Sequence, residues 1–125
     1  MSFKDLGLSD FVLQGIEKMG FENPTPVQEQ AIPQLMEGHH DAVVLAQTGT
    51  GKTAAFGLPA LSKVDPNLKK IQAIVVAPTR ELATQIRDNI SDYAKTERKV
   101  NVEVVYGGAS ISDQIRNVRK VTDYL

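Results

Sequence analysis

The chain has 125 residues, of which 42% are hydrophobic, a composition typical of one globular domain or part of one. Its 14 basic and 15 acidic residues give a formal net charge of −1, so there is no overall basic excess for nucleic-acid binding, and any such contact must be local. The absence of cysteine excludes disulfides and thiolate metal sites. No apolar run approaches the roughly 20 residues of a membrane span, and no signal peptide is recognisable, so we expect a cytoplasmic protein that does not bind membranes.

Two amphipathic helices are predicted in the first 40 residues. The first has an N-cap at Ser9, carries its apolar side chains on one face and ends at Gly20. The second begins at Thr25, has Pro26 at its first position and runs to about Met36.

A histidine pair follows the second predicted helix. His39 and His40 are adjacent in the sequence, and successive side chains diverge on a helix or a strand. The pair therefore favours a polar loop over a metal site.

The apolar runs at residues 42–46 and 71–77 predict buried strands, and residues 100–106 predict a third strand. A predicted helix follows each of these segments, and this alternation favours an α/β fold with a mainly parallel sheet and flanking helices. In such sheets ligands bind beyond the carboxyl ends of the strands. We therefore expect the loops that begin near Ala46, Pro78 and Gly107 to lie on one rim.

The three later helices have contrasting sequences. The helix that begins at Lys52 is expected to be shortened or bent by Gly57 and Pro59. The other two, which follow Pro78 and Ser110, carry apolar stripes that we expect to face inward. These stripes consist of Leu82, Ile86, Ile90 and Tyr93 in the first, and of Ile111, Ile115 and Val118 in the second.

The loop after the first predicted strand has the pattern of a phosphate-binding loop, with Ala46 where the strict pattern has glycine. Its residues are Ala46, Gln47, Thr48, Gly49, Thr50, Gly51, Lys52 and Thr53. The glycines let backbone N–H groups turn toward a triphosphate, Lys52 can reach the outer phosphates, and the Thr53 hydroxyl is placed to ligate a phosphate-bound Mg²⁺. A simple Gly/Thr-rich loop is the alternative, but the strand before it and the helix after it favour nucleotide binding.

Four segments resemble motifs of the DEAD-box RNA helicases, in the order and spacing of that family. Residues 20–28 resemble the Q motif, residues 46–53 resemble motif I with its alanine, residues 78–82 resemble motif Ia, and residues 107–108 resemble the GG motif. Phe3 stands where the family carries an isolated upstream aromatic residue. The resemblance implies a RecA-like P-loop NTPase fold, with residues 1–125 forming the N-terminal part of the first RecA-like domain.

The Q-motif resemblance implies that Gln28 reads the adenine edge and that Phe21 stacks on the ring. A glutamine amide has one donor and one acceptor group, which match adenine N7 and N6, whereas guanine presents two acceptors there. ATP should therefore be preferred over GTP. Without the resemblance, Thr25 and Gln28 form an ordinary capping box, and Phe21 is an ordinary core residue.

The other two motifs imply contacts with RNA. By resemblance, Pro78, Thr79, Arg80, Gly107 and Gly108 face the phosphates of the RNA backbone, so the sequence preference should be weak. The alternative is a strand stop, an N-cap and an exposed first-turn residue. Several other basic side chains are interpreted as solvated helix faces: Lys95, Arg98, Lys99, Arg116, Arg119 and Lys120.

The resemblance implies that the parent protein is an ATP-dependent RNA helicase that uses ATP and Mg²⁺ to unwind short duplexes. The chain itself contains no Asp-Glu dipeptide and no Ser-Ala-Thr motif, and hydrolysis needs an acidic pair, so we expect it to be inactive alone. The alternative is a non-hydrolysing nucleotide-binding or interaction module. A DNA translocase is disfavoured by Phe21 and Gln28.

The resemblance also implies a sheet order in which further strands of the domain lie between those predicted here. Without them the strand edges would lack partners, so we expect the chain to rearrange, to exchange elements with a second copy, or to be a stable core cut from a longer chain.

Overall fold

The regular structure consists of one 3₁₀ helix and five α-helices, within the residues that the computed structural model describes. Those residues are 1–38, 41–47 and 51–122, the last three by backbone alone. The 3₁₀ helix covers Phe3–Leu6, and α1 to α5 cover Asp10–Lys18, Pro26–Glu37, Lys52–Ser62, Arg80–Tyr93 and Ile111–Thr122. No helix in these ranges combines the length and the apolar character that a membrane span requires.

A single apolar cluster joins the 3₁₀ helix to α1, α2, α3 and α4. Helix α3 packs against α1, α2 and α4, and its Leu58 is fully buried. Ile32 of α2 and Val12 and Ile16 of α1 are buried in the same cluster. Burial of each such side chain stabilises the fold by about 1.5–3 kcal/mol. The described side chains of α5 do not contribute to this cluster.

Ser9 stands at the N-cap of α1, as predicted, but its hydroxyl makes no capping hydrogen bond. Its backbone N–H instead donates to the Ser62 hydroxyl at 3.1 Å. The start of α1 is therefore tied to the last turn of α3.

Helix α3 continues through Gly57 and Pro59 to Ser62, so the expectation that these residues shorten it was wrong. Gly57 faces α4, where an added Cβ would lie 3.3 Å from Ile90 Cγ1. Pro59 is buried in the last turns of the helix. The close packing of α3 on its neighbours outweighs the local helix penalties of these two residues.

The three segments predicted as strands are extended, but they form no strand pairs with any described residue, so the predicted parallel sheet is not confirmed. Residues 42–46 and 71–77 are also largely exposed, contrary to the expectation of buried strands. Their most exposed side chains, between 81% and 91% accessible, are Val43, Leu45, Ile74 and Val76. An apolar strand is buried only where neighbouring elements cover it, and no described element does so here. In residues 100–106, Val100 and Val102 pack against the edge of the core.

The stripes on α4 and α5 are buried only in part. Ile90 and Tyr93 of α4 are in the core, whereas Leu82 at the other end of the stripe is exposed. On α5, Ile111 and Ile115 are 71% and 43% accessible, so the expectation that they face inward was wrong. Both exposed ends lie on helices that follow the extended segments, which form no sheet for them to cover.

Gly15 allows α1 and α4 to approach each other closely. A Cβ at this position would overlap the carbonyl oxygen of Tyr93 and lie 3.0 Å from its carbonyl carbon. We predict that Gly15→Ala destabilises the fold by about 1–3 kcal/mol, although alanine is the better helix former. Urea unfolding measures the effect, with Gln14→Ala at an exposed position of the same helix as the control. Equal stability of Gly15→Ala and the original chain would contradict the close packing of these helices.

The exposed apolar segments predict self-association. We expect the chain to elute as a concentration-dependent oligomer in size-exclusion chromatography with light scattering, because exposed extended segments of this kind pair with other chains. The double variant Val43→Lys with Ile74→Lys should shift the protein toward monomer. Gln34→Lys, which places the same charge at an exposed polar position, should not. A monomer at every concentration would rule out this association.

Candidate functional site

Gln28 is the buried polar residue of the described core, and its side chain joins two elements. The side-chain Oε1 of Gln28 accepts a hydrogen bond from the Thr25 backbone N–H at 3.0 Å, and the backbone N–H of Gln28 donates to Thr25 Oγ1 at 3.4 Å. These bonds form the capping box of α2. Gln28 Nε2 also donates to the Gly51 carbonyl at 3.2 Å. The amide therefore caps α2 and holds the end of the predicted phosphate loop.

Gly51 is the N-cap of α3 and has a φ of +84°, a conformation that favours glycine. An added Cβ would overlap Gln28 Nε2 and lie 3.3 Å from Thr25 Oγ1. The contact with α2 and the backbone conformation thus both require glycine here.

The first turn of α3 presents groups suited to an anion. Lys52 is exposed and Thr53 is half-buried. The helix has no side-chain cap, so its first N–H groups and its positive dipole end are available to a phosphate. The ion pairs among the described residues do not involve Lys52. An exposed cation, a hydroxyl and a helix N-terminus are the parts that bind a phosphate chain.

The described residues contain no group of three histidine or acidic side chains that could hold a metal ion. Mg²⁺ bound with a nucleotide does not need one, because it keeps several waters and takes its other ligands from phosphates. The Thr53 hydroxyl, next to Lys52 in the first turn of α3, is an oxygen ligand of the right kind.

Parts of the predicted loop are not described. Ala46 is half-buried and Gln47 is exposed at the end of the first extended segment. Thr48, Gly49 and Thr50 lie outside the described residues, as do His39 and His40.

Phe21 belongs to an aromatic cluster at the edge of the core. Its ring centroid lies 6.0 Å from that of Phe3 and 6.0 Å from that of Tyr93, which it meets edge-on at 66°. Burial, and to a smaller extent the Asp92 carboxylate, raises the pKa of Tyr93 above its usual value. Phe21 remains half-buried, so it is held by the core while part of its surface faces solvent.

Thr79 is the N-cap of α4, as the alternative interpretation of this segment predicts. The Leu82 backbone N–H donates to Thr79 Oγ1 at 3.1 Å. The hydroxyl oxygen is the acceptor in this bond, so the hydroxyl hydrogen stays available to a ligand. Pro78 and Arg80 on either side are exposed.

Arg80 brings the second and third predicted loops together. Its guanidinium carbon lies 5.1 Å from the centre of the Tyr106 ring, within cation–π range. Its Nη1 lies 3.8 Å from where a Cβ of Gly108 would be. Gly107 and Gly108 are exposed, and Gly108 has a φ of +82°. Motif Ia and the GG motif therefore meet at one surface point.

An open groove of about 750 Å³ begins at this point and follows α4. It is lined by Arg80, Glu81, Thr84, Gln85, Asp88, Asn89 and Tyr106. None of the described residues predicted to bind the nucleotide lines it, so the described parts of the two predicted sites are separate surfaces.

Sequence reasoning assigned no role to Tyr106 or Gln114. The Gln114 side chain accepts from the Tyr106 N–H at 2.7 Å and donates to the Tyr106 carbonyl at 3.1 Å. An aromatic residue directly before a glycine pair was a usable signal for Tyr106. The sequence carries no comparable signal for Gln114, which lies one turn inside α5.

Comparison with known proteins gives consistent matches over most of the chain. The family model of the DEAD/DEAH box helicases matches residues 25–125. The ATP-dependent RNA helicase CshA of Limosilactobacillus reuteri is 50% identical over 120 residues, which are 96% of this chain and 24% of that protein. The chain thus spans about a quarter of the length of this curated relative.

Solved structures show the same similarity. The crystal structure of a DEAD box protein from the hyperthermophile Methanococcus jannaschii matches with a TM-score of 0.81 and 39% identity, over 94% of this chain and 32% of that chain. S. cerevisiae Dbp5 bound to RNA and ADP BeF3 matches with a TM-score of 0.74 and 35% identity, over 97% of this chain and 35% of that chain. With its sequence motifs, its family match and its fold in agreement, this chain belongs to the DEAD/DEAH box helicase family.

Proposed function

We propose that this chain is the ATP-binding part of a DEAD-box ATP-dependent RNA helicase, the N-terminal part of its first RecA-like domain. The observation that carries the proposal is the bond from Gln28 Nε2 to the Gly51 carbonyl. It joins the glutamine of the Q motif to the residue that starts α3, so the adenine and phosphate ends of one nucleotide would meet adjoining groups. The naming of CshA as an ATP-dependent RNA helicase supports the assignment.

The phosphates of ATP would bind at the first turn of α3. The N–H groups of this turn and the Lys52 ammonium group carry the positive charge that a triphosphate needs. Mg²⁺, held by the phosphates and the Thr53 hydroxyl, would neutralise the remaining anionic charge. The exposure of Lys52 leaves its side chain able to reach the outer phosphates.

The amide of Gln28 keeps enough hydrogen-bonding capacity to select adenine. A glutamine carbonyl accepts two hydrogen bonds and its NH₂ group donates two. The contacts with Thr25 and Gly51 use one of each. The remaining acceptor matches the N6 amine of adenine and the remaining N–H matches N7, whereas guanine offers an acceptor in place of the amine. The exposed side of Phe21 would stack on the base.

RNA would bind through its phosphates at the junction of Thr79, Arg80 and Gly108. The hydroxyl hydrogen of Thr79 and the N–H groups of Arg80 are donors, and the glycines allow the sugar-phosphate chain to approach closely. The structure of Dbp5 with RNA and ADP BeF3 supports RNA as the polymer. Contacts of this kind read no bases, so sequence preference would be weak.

Hydrolysis and unwinding would belong to the whole helicase rather than to these 125 residues. An acidic pair that organises Mg²⁺ and the attacking water is needed for hydrolysis, and the sequence contains no Asp-Glu dipeptide. This absence also favours the second candidate function, a nucleotide-binding module that does not hydrolyse ATP.

The phosphate site predicts a charge-dependent loss of affinity. Lys52→Ala should weaken binding of a fluorescent ATP analogue in the presence of Mg²⁺ by about ten- to a hundredfold, because a hydrogen bond to a charged group contributes about 1.5–3 kcal/mol. Fluorescence titration measures it. Lys18→Ala, which removes an exposed lysine at the end of α1, is the control and should bind as the original chain does.

The titration and a companion phosphate-release assay test two parts of the proposal. Equal affinity of Lys52→Ala and the original chain would remove the phosphate site. A phosphate-release assay on the same samples should detect no turnover. Mg²⁺-dependent turnover that disappears in Lys52→Ala would show that the chain hydrolyses ATP after all.

The adenine site predicts a loss of selectivity. Gln28→Ala should reduce the difference in binding free energy between ATP and GTP by about 1–3 kcal/mol, the discrimination that a bidentate amide contact provides, and so lower the ratio of the two affinities. The ratio is the right measure because any weakening of the α2 cap affects both nucleotides equally. Competition of each nucleotide against the fluorescent analogue gives the two affinities. Gln30→Ala, at an exposed position of α2, should keep the original ratio. An unchanged ratio in Gln28→Ala would show that Gln28 only caps its helix.

A further inference from the structure

Gln114 of α5 fixes the backbone of Tyr106 from both sides. Its side-chain oxygen and nitrogen bond the N–H and the carbonyl of Tyr106 at 2.7 and 3.1 Å, as a neighbouring strand would. Tyr106 is the last residue before Gly107, so the glycine turn between the third extended segment and α5 is closed by this clamp. Hydrogen bonds to the N–H and the carbonyl of Tyr106 fix its backbone, and so the direction of the Cα–Cβ bond from which the ring extends.

The Tyr106 ring in turn supports Arg80. The guanidinium group lies over the ring, with its carbon 5.1 Å from the centroid. A guanidinium has five N–H groups, so an arginine held over a ring keeps donors that a phosphate needs. A free arginine side chain loses much rotamer freedom on binding, so an arginine already held in place loses less.

The charges around the groove limit where an anion can lie. Glu81 and Asp88 line the groove together with Arg80, and their carboxylates would repel a phosphate. The favourable position is therefore at the end of the groove, where the Arg80 guanidinium and Gly108 meet.

We propose that Gln114, acting through Tyr106, is a positioning residue that holds Arg80 in the orientation that contacts an RNA phosphate. The proposal rests on the proposed function, in which Arg80 binds RNA. The contribution of motif Ia to RNA affinity would thus depend on a side chain 34 positions after Arg80, on a helix outside the apolar cluster. Gln114 itself touches no RNA.

The test is fluorescence anisotropy of a labelled single-stranded oligouridylate, measured at low salt with an ATP analogue present. Gln114→Ala should weaken RNA binding by about two- to fivefold, the contribution of an exposed cation–π contact that orders the arginine. Tyr106→Leu should do the same, and Tyr106→Phe, which keeps the ring, should restore the original affinity. Affinity for the ATP analogue alone should be unchanged in all three variants.

A matched control separates positioning from a general loss of stability. Gln72 clamps the backbone of Asp65 in the same way, accepting from its N–H at 2.8 Å and donating to its carbonyl at 2.9 Å. Gln72→Ala therefore removes an equivalent clamp at the far end of the segment that leads to Arg80, and it should leave RNA affinity unchanged.

A double variant of Gln114 and Arg80 tests whether Gln114 affects RNA binding through Arg80. Arg80→Ala should weaken RNA binding by about tenfold or more. If Gln114 acts through Arg80, adding Gln114→Ala to Arg80→Ala should cause no further loss. Fully additive losses, or a Gln114→Ala variant that binds RNA normally while Arg80→Ala does not, would overturn the positioning role. An Arg80→Ala variant that binds RNA normally would instead overturn the proposed RNA site.

Discussion

The side-chain amide of Gln28 is the interaction on which the candidate site depends. It satisfies the first N–H of the α2 cap and reaches across to the residue that starts α3. A buried amide is stable only when its polar atoms have partners, and here the partners belong to two different helices. The relative position of α2 and α3 is therefore set by a polar contact as well as by the apolar packing around Leu58 and Ile32. The residue that joins the two helices is also the one that the proposed function assigns to adenine.

The sequence predicted the features that depend on neighbouring residues. The start of α2 follows from Thr25 and Pro26, because a cap hydroxyl and a proline at the first position act within one turn. The same holds for Thr79 and α4. At Gln28 the sequence offered two interpretations, a capping box and an adenine contact. The capping box is present, and the adenine contact stays a prediction.

Other features depend on contacts between distant residues, and there the sequence was a poorer guide. Gly57 and Pro59 have strong local effects, yet α3 continues through both because its buried face packs on three helices. The apolar residues 42–46 and 71–77 predicted burial, but burial requires neighbouring elements that cover them. The contact of Arg80 with Tyr106 joins the first residue of α4 to a residue beyond the end of that helix, and no local pattern predicts that these two side chains meet.

The glycine at position 51 of the phosphate-loop motif is required by the fold as well as by a ligand. In a loop that only binds nucleotide, a glycine is needed so that the backbone can approach the phosphates. Here the space that a side chain would fill is already taken by the amide of a residue 23 positions earlier, and the backbone angle excludes most alternatives as well. Positions 28 and 51 are thus coupled through the fold itself: a change at the glycine would disturb the contact between two helices before it affected any ligand.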